Sequence, residues 1–180
     1  MTQVSIVIVS YNTRADLERC LDSLHASPPT ATHEFVVVDN GSTDGSVDAA
    51  RRWADVRVID NGANVGFACA NNIGIRASRA NTLLVLNSDT LVTGGAVDRL
   101  LAELDADPTV AVVGPRIVDG QGRAELSFGR MIGPLNERRQ KRLARGPVDE
   151  LTRKRQNPDW VSAACLLVRR ADADAVGLFD

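Results

Sequence analysis

A chain of 180 residues with 44% hydrophobic content is long enough to bury one core and too short for several, so a single domain is expected. Only 4% of residues are aromatic while small and branched aliphatic residues abound, which suits helices packed on apolar strands and speaks against a sandwich or barrel. The net charge of −2 excludes a generally basic nucleic-acid binder, and three widely spaced cysteines, Cys20, Cys69 and Cys165, exclude a disulfide framework or zinc cluster and read as reduced core thiols.

The chain opens on an apolar run at residues 4–9, too short and wrongly flanked for a secretion signal. No run of 18 apolar residues follows, so a cytoplasmic domain is expected. Further strand-like runs lie at residues 34–38, 56–59, 82–86, 110–113 and 161–168. Amphipathic stretches at 14–24, 46–53, 68–79 and 96–104 separate them, so strand and helix alternate as in βαβ units around a buried parallel sheet. The expected fold class is α/β, a Rossmann-like, mostly parallel sheet flanked by helices. In such sheets ligands bind outside the carboxyl ends of the strands, which directs attention to the polar loops at 10–13, 39–45 and 87–90.

Residues 129–158 break this rhythm and form a basic insert rich in Gly, Pro and Asn. Residues 130–155 hold nine Lys or Arg against three acids, a local +6 that leaves −8 elsewhere. Two readings stand side by side: peripheral contact with anionic lipid head groups or a phosphate-bearing acceptor, and a solvated loop. The insert separates residues 1–128, which carry those three polar loops, from residues 159–180.

The first strand leads into Ser10, Tyr11 and Asn12, and the second into Asp39-Asn40-Gly41-Ser42-Thr43-Asp44-Gly45. A pyrimidine base offers a flat face and an N–H beside carbonyls, so an aromatic ring with a carboxylate acceptor, here Tyr11 and Asp39, makes a suitable pocket. Taken alone, Asp39 reads instead as a turn residue capping the helix that starts near Ser46. After the fourth strand come Asn87, Ser88 and Asp89. A carboxylate there can hold a divalent cation against two phosphates, although a lone Asp after a strand is more often a turn residue.

Four segments, SIVIVSYN (5–12), VVVDNGSTDGS (36–46), NVGFACANNIG (64–74) and LLVLNSDT (83–90), resemble in order and spacing the family 2 glycosyltransferases of the GT-A fold. The tail DWVSAACLLVRRADADAVGLFD (159–180) resembles the acceptor-side strand and helix of the same family. The finer pattern is similar to bacterial rhamnosyltransferase-like members. The resemblance implies a hexosyltransferase-type enzyme that moves a sugar, rhamnose from dTDP-rhamnose, from a nucleoside diphosphate donor to a glycan or lipid-linked acceptor in cell-envelope polysaccharide synthesis.

It further implies that Ser10, Tyr11, Asn12 and Asp39 line the nucleoside pocket, that Asn64, Gly66, Asn71 and Asn72 approach base and ribose, and that Asn87, Ser88 and Asp89 face the diphosphate. Asp89 would be the ligand of a divalent cation, Mg²⁺ or Mn²⁺. The family motif there is often Asp-x-Asp, so Asn87-Ser88-Asp89 keeps one charged ligand. Trp160 is a candidate for stacking on an acceptor sugar, or else a core aromatic.

The reaction implied is an inverting in-line displacement that needs a general base for the acceptor hydroxyl. In the family that base lies in an acidic motif shortly after a Gly-x-Phe-Asp segment. The present sequence ends on Gly177-Leu178-Phe179-Asp180, so the base is expected beyond the chain end and no catalytic residue is assigned. The alternative is a catalytically incomplete nucleotide-sugar-binding remnant. A dinucleotide-dependent oxidoreductase is set aside because no G-x-G-x-x-G follows the first strand. A nucleotidylyltransferase lacks its Gly-rich basic loop there, and His25 and His33 match no metal spacing.

Overall fold

The computed structural model describes residues 2–129 and 148–180. Most of the basic insert, residues 130–147, lies outside the described residues, and with it most of the segment considered for membrane contact. The chain divides into two compact units, Met1–Val113 with Ala163–Asp180, and Gly114–Ser162.

The larger unit is built on a six-stranded sheet in the order β3-β2-β1-β4-β10-β5. Strands β1 (Val4–Ser10), β2 (His33–Asp39), β3 (Val56–Asp60) and β4 (Thr82–Asn87) are parallel. Strand β10 (Cys165–Arg169) runs antiparallel to both β4 and β5 (Val112–Val113). Helices α1 (Arg14–Ala26), α2 (Ser46–Ala50), α3 (Phe67–Ala77), α4 (Ala96–Ala106) and α6 (Arg170–Ala175) supply the connections and cover. The parallel order follows from β1, whose seven residues are all buried. A strand covered on both faces must be apolar throughout, and side chains alternate between those faces.

One face of the sheet gives Ile6, Ile8, Val37, Leu84 and Leu86 to a core shared with Leu17, Leu21 and Leu24 of α1 and Leu100 and Leu104 of α4. The other gives Val7, Val9, Val36, Val38, Leu83 and Val85 to a second core with Ala70 and Ile75 of α3 and, at its margin, Leu178 and Phe179. Each such Leu or Ile contributes roughly 1.5–3 kcal/mol by leaving water.

Two adjacent arginines lock the far strand to the helices. Arg170 donates to the carbonyls of Ala80 (2.7 Å) and Ile75 (2.9 Å) and to the Ser78 hydroxyl (2.7 Å), closing the C-terminal end of α3. Arg169 donates to the carbonyl of Leu104 in the last turn of α4 and to that of Val110 in the segment that follows it. Cationic donors at helix C-termini satisfy carbonyls that have no partner within the helix.

The smaller unit holds two antiparallel ribbons and a short helix. Strand β6 (Ile117–Val118) pairs β7 (Ala124–Glu125), β8 (Phe128–Gly129) pairs β9 (Trp160–Val161), and α5 spans Val148–Thr152. The single strand expected over 161–168 is thus two, β9 and β10, in different units. The run at 110–113 is a strand only at its end. No helix among the described residues is long and apolar enough to cross a membrane.

Gly74 decides how closely α3 can approach the sheet. A Cβ there would lie 2.4 Å from Val7 Cγ1 and 2.9 Å from Val38 Cγ2, both on β-branched side chains that cannot rotate away freely. Gly74→Ala is therefore expected to destabilise the protein by about 1–3 kcal/mol in urea unfolding; a neutral substitution would contradict this packing.

Candidate nucleotide-binding edge

Strand register assembles the site. Ser10 stands opposite Asp39, Asp39 opposite Asp60, and Val9 opposite Asn87, so the last residues of all four parallel strands form one row. The chain runs from β1 to β2 to β3 on one side and returns to β4 on the other side of β1. The gap between β1 and β4 is thus a topological switch point, where crevices form in open α/β sheets.

At the end of β2 the Asp39 side chain is only 1% exposed. Its Oδ2 accepts the backbone N–H groups of Gly41 (3.1 Å) and Ser42 (2.7 Å), while the buried Oδ1 has no partner among the described residues. A buried acceptor without a donor is uncommon and costly, so Oδ1 is a place where a ligand N–H fits. Asp39 does not cap the following helix. Asp44 takes that part, its Oδ1 accepting the Ser46 N–H (3.0 Å) and hydroxyl (2.6 Å) and its Oδ2 accepting the Arg14 N–H (2.8 Å).

The Ser46 hydroxyl above all holds the Asp44 carboxyl below its ordinary value, against the opposing effect of burial and with help from the backbone N–H groups of Arg14 and Ser46. A depressed carboxyl contributes stability that is present above its unfolded value and lost as pH falls through the folded one. The tether between α1 and this loop is accordingly acid-sensitive.

Tyr11 follows Ser10 and is 48% exposed, which leaves a ring face open at the row's edge. Asn12, at φ 51°, is a brace: its N–H donates to Ser42 Oγ (2.9 Å) and its Oδ1 accepts the Thr43 N–H (2.8 Å). Asn64 is also held, its Oδ1 accepting from Asn40 Nδ2 (2.8 Å) and the Gly66 N–H (3.0 Å). Gly66 starts α3 at φ 87° and ψ 158°, a conformation essentially restricted to glycine.

Within α3, Asn71 is fully buried; its Nδ2 donates to the Phe67 carbonyl (2.9 Å), and its Oδ1 has no partner among the described residues. Asn72 faces elsewhere. Its amide accepts the Phe179 N–H (3.0 Å) and donates to the Phe179 carbonyl (2.7 Å), which clamps the C-terminal segment.

Across the switch point, the Asn87 N–H donates to the Ala164 carbonyl (3.0 Å), and Ser88 is buried. Asp89 is exposed and has no hydrogen bond or ion pair among the described residues. Behind it the Cys20 thiol donates to the Asn87 carbonyl (3.9 Å). Burial first, then the Asp89 carboxylate, pushes this thiol up to about 12, so it remains a neutral donor.

The described residues contain no group of three or more His, Cys, Asp or Glu able to cage a metal. One free carboxylate still fits a cation that takes its other oxygens from phosphates and water.

The structure therefore brings Ser10, Tyr11, Asn12, Asp39, Asn64, Gly66, Asn87, Ser88 and Asp89 to one edge, with Asn71 in the helix that follows Gly66. Trp160 belongs to the smaller unit, on β9 opposite Gly129. Cys69 departs from expectation, being exposed in the first turn of α3, whereas Cys20 and Cys165 are buried. Sequence reasoning also passed over Thr13 and Asn40. Asn40 Oδ1 accepts the Val65 N–H (3.0 Å) and Asn61 Nδ2 (3.3 Å), joining the loops after β2 and β3. Its place inside a polar loop gave no sign of its burial, and nothing local marks Thr13.

The family profile described as "Glycosyl transferase family 2" matches residues 5–176. An N-acetylglucosaminyl-diphospho-decaprenol L-rhamnosyltransferase of Mycobacterium tuberculosis is 32% identical over 213 residues, covering 100% of this chain and 66% of that protein. A low-salt glycan biosynthesis hexosyltransferase of Haloferax volcanii is 30% identical over 129 residues, 68% of this chain and 39% of that protein. Among solved structures, a Pyrobaculum calidifontis mannosyltransferase in complex with GDP-Man and Mn²⁺ superposes with TM-score 0.68 at 22% identity, covering 99% of this chain and 47% of that one. Staphylococcus aureus TarS in complex with UDP-GlcNAc gives 0.68 at 19%, covering 98% and 48%. These structures share the fold, and this chain spans about half of their length.

Asn40→Ala is expected to cost about 1–3 kcal/mol and to speed hydrogen exchange at the Val65 amide; unchanged protection there would show that the loops do not depend on Asn40.

Proposed function

Since the chain belongs to glycosyl transferase family 2, we propose that its carboxyl edge binds a nucleoside diphosphate sugar and presents the sugar for transfer to an acceptor hydroxyl. The observation that carries this reading is the buried Oδ1 of Asp39, without a partner among the described residues and in the same row as Ser10 and Asn87. Asp39 Oδ1 would accept the imide N–H of the base, and the exposed Tyr11 ring would stack on its face. Asn71 Oδ1, the second buried acceptor without a partner among the described residues, would take a hydroxyl or N–H of the same nucleoside. Asn12, Asn40 and Asn64 keep the loops in place, and Asn72 holds the C-terminal segment.

Asp89, with the oxygens of Asn87 and Ser88 beside it, would hold Mg²⁺ or Mn²⁺. Such a cation, when bound, offsets the charge that grows on the departing diphosphate. In the transfer proposed, the acceptor oxygen bonds to the anomeric carbon as the bond from that carbon to the diphosphate oxygen breaks, with inversion. The acceptor proton passes to a general base as the new bond forms.

The rhamnosyltransferase activity by which the mycobacterial relative is named and the rhamnosyltransferase-like motifs support dTDP-rhamnose as donor and a lipid-linked sugar as acceptor. Such an acceptor would place the protein at the inner face of a membrane, with the basic insert against anionic head groups. Cosedimentation with anionic but not neutral vesicles at low salt is expected, and equal partition into both would remove that part of the proposal.

Calorimetric titration of dTDP, UDP and GDP with and without Mn²⁺ tests the site. Asp39→Asn must give its one side-chain oxygen to Gly41 and Ser42, which turns an NH₂ toward the base. It should fold normally and lose about tenfold or more in affinity. Asp89→Ala should abolish only the enhancement by Mn²⁺. Binding that survives Asp39→Asn, or nucleotide binding by no wild-type protein at all, would refute this assignment.

A further inference from the structure

We propose that Thr13 is the positioning residue that sets the spacing between the loop after β1 and the Asn87-Ser88-Asp89 loop, and through it the affinity of the site for its divalent cation. The proposal rests on the reading of Asp89 as the residue that holds that cation.

Thr13 occupies the N-cap of α1, where a threonine hydroxyl ordinarily accepts an N–H of the first helical turn. Here it makes no such bond. Its Oγ1 lies instead 3.0 Å from Ser10 Oγ and 2.9 Å from Ser88 Oγ, a side chain 75 positions away in sequence. The first N–H of the helix, that of Arg14, goes to Asp44 Oδ2 instead (2.8 Å), and the Thr13 hydroxyl forms the middle of a three-oxygen chain across the switch point. Backbone pairing between β1 and β4 stops at Val9 and Asn87. Beyond that pair, the Thr13 hydroxyl is the link between Ser88 and the loop after β1 among the described residues.

The other bonds to the β4 loop act from different directions. Asn87 is tied to Ala164 and to the Cys20 thiol, and the Thr90 hydroxyl donates to Ala164. They fix the loop against β10 and the body of α1 but not against Ser10 and Tyr11. A hydroxyl gives one proton and accepts two, so Thr13 can receive the proton of the fully buried Ser10 and pass its own to Ser88.

A nucleoside diphosphate has a limited reach between its base and its phosphates. With the base seated by Tyr11 and Asp39, an error in the distance to Asp89 falls on the cation and leaves base binding intact. Groups that orient a metal ligand typically account for 10- to 100-fold in metal affinity.

The test uses Thr13→Val, which keeps the shape and removes the hydroxyl, and Thr13→Ser, which keeps the hydroxyl. Calorimetry with dTDP, or with UDP where the wild type prefers it, yields the Mn²⁺ concentration that half-saturates the enhancement of nucleotide binding. Thr13→Val should raise that midpoint about tenfold. Its metal-free nucleotide affinity should stay within about twofold of wild type, and Thr13→Ser should keep the wild-type midpoint.

Thr13→Val also leaves the Ser10 hydroxyl without its partner and lowers the melting temperature, so Ser88→Ala and the double variant separate stability from positioning. If Thr13 acts through Ser88, the double variant shifts the midpoint no further than the larger single change. A wild-type midpoint in Thr13→Val, no rescue by Thr13→Ser, or full additivity with Ser88→Ala would overturn the proposal. A wild-type protein whose nucleotide affinity ignores Mn²⁺ altogether would overturn the cation reading as well, a result distinct from a responsive wild type with an insensitive Thr13→Val.

Discussion

The complete burial of β1 between two parallel neighbours is the constraint from which the rest of the larger unit follows. Its residues are covered on both faces, so its neighbours can be offset only by steps of two without turning the wrong side chains into each core. That fixed register aligns Ser10 with Asp39 and Val9 with Asn87. Polar residues whose positions in sequence are unrelated thereby meet at one edge, at the place where the strand order changes direction.

Past the last backbone bonds, from the Asn40 N–H to the Ser10 carbonyl (2.8 Å) and from the Asn61 N–H to the Asp39 carbonyl (2.9 Å), the loops at that edge are tied to one another by side chains. Asn12 joins the loops after β1 and β2, Asn40 joins those after β2 and β3, and Thr13 joins those after β1 and β4. Within this well-bonded network two buried oxygens, Asp39 Oδ1 and Asn71 Oδ1, lack donors among the described residues. An unmet buried acceptor costs about 1–3 kcal/mol, and a fold that satisfies nearly every other polar group around these two has kept them for some purpose. A ligand carrying N–H or O–H donors supplies one.

Much of this was legible in the sequence, for physical reasons. Doubly buried strands need continuous apolar runs, so β1, β2 and β4 declare themselves, and polar residues directly after such runs must lie at the sheet edge. Asp39 and Asp89 were found in that way. The 161–168 run misled because an apolar segment does not reveal where it changes partners; residues 162–164 separate β9 from β10. Asn72 lies beside Asn71 in the motif, yet a helix turns adjacent residues through about 100°, which sends one amide toward Phe67 and the other toward Phe179. Thr13 could not have been found, because its role depends on a partner 75 residues away.

The central claim is that Asp39 Oδ1 accepts the imide N–H of a nucleotide base, and it can be tested on the ligand with the protein untouched. The measurement is a calorimetric comparison of dTDP with its N3-methyl derivative, which keeps the sugar, the diphosphate and the stacking face but has no N–H to give. The account predicts that the methylated nucleotide loses about tenfold or more in affinity, since Oδ1 is then left buried beside a methyl group. Equal affinity for the two would contradict it and would place the base away from Asp39.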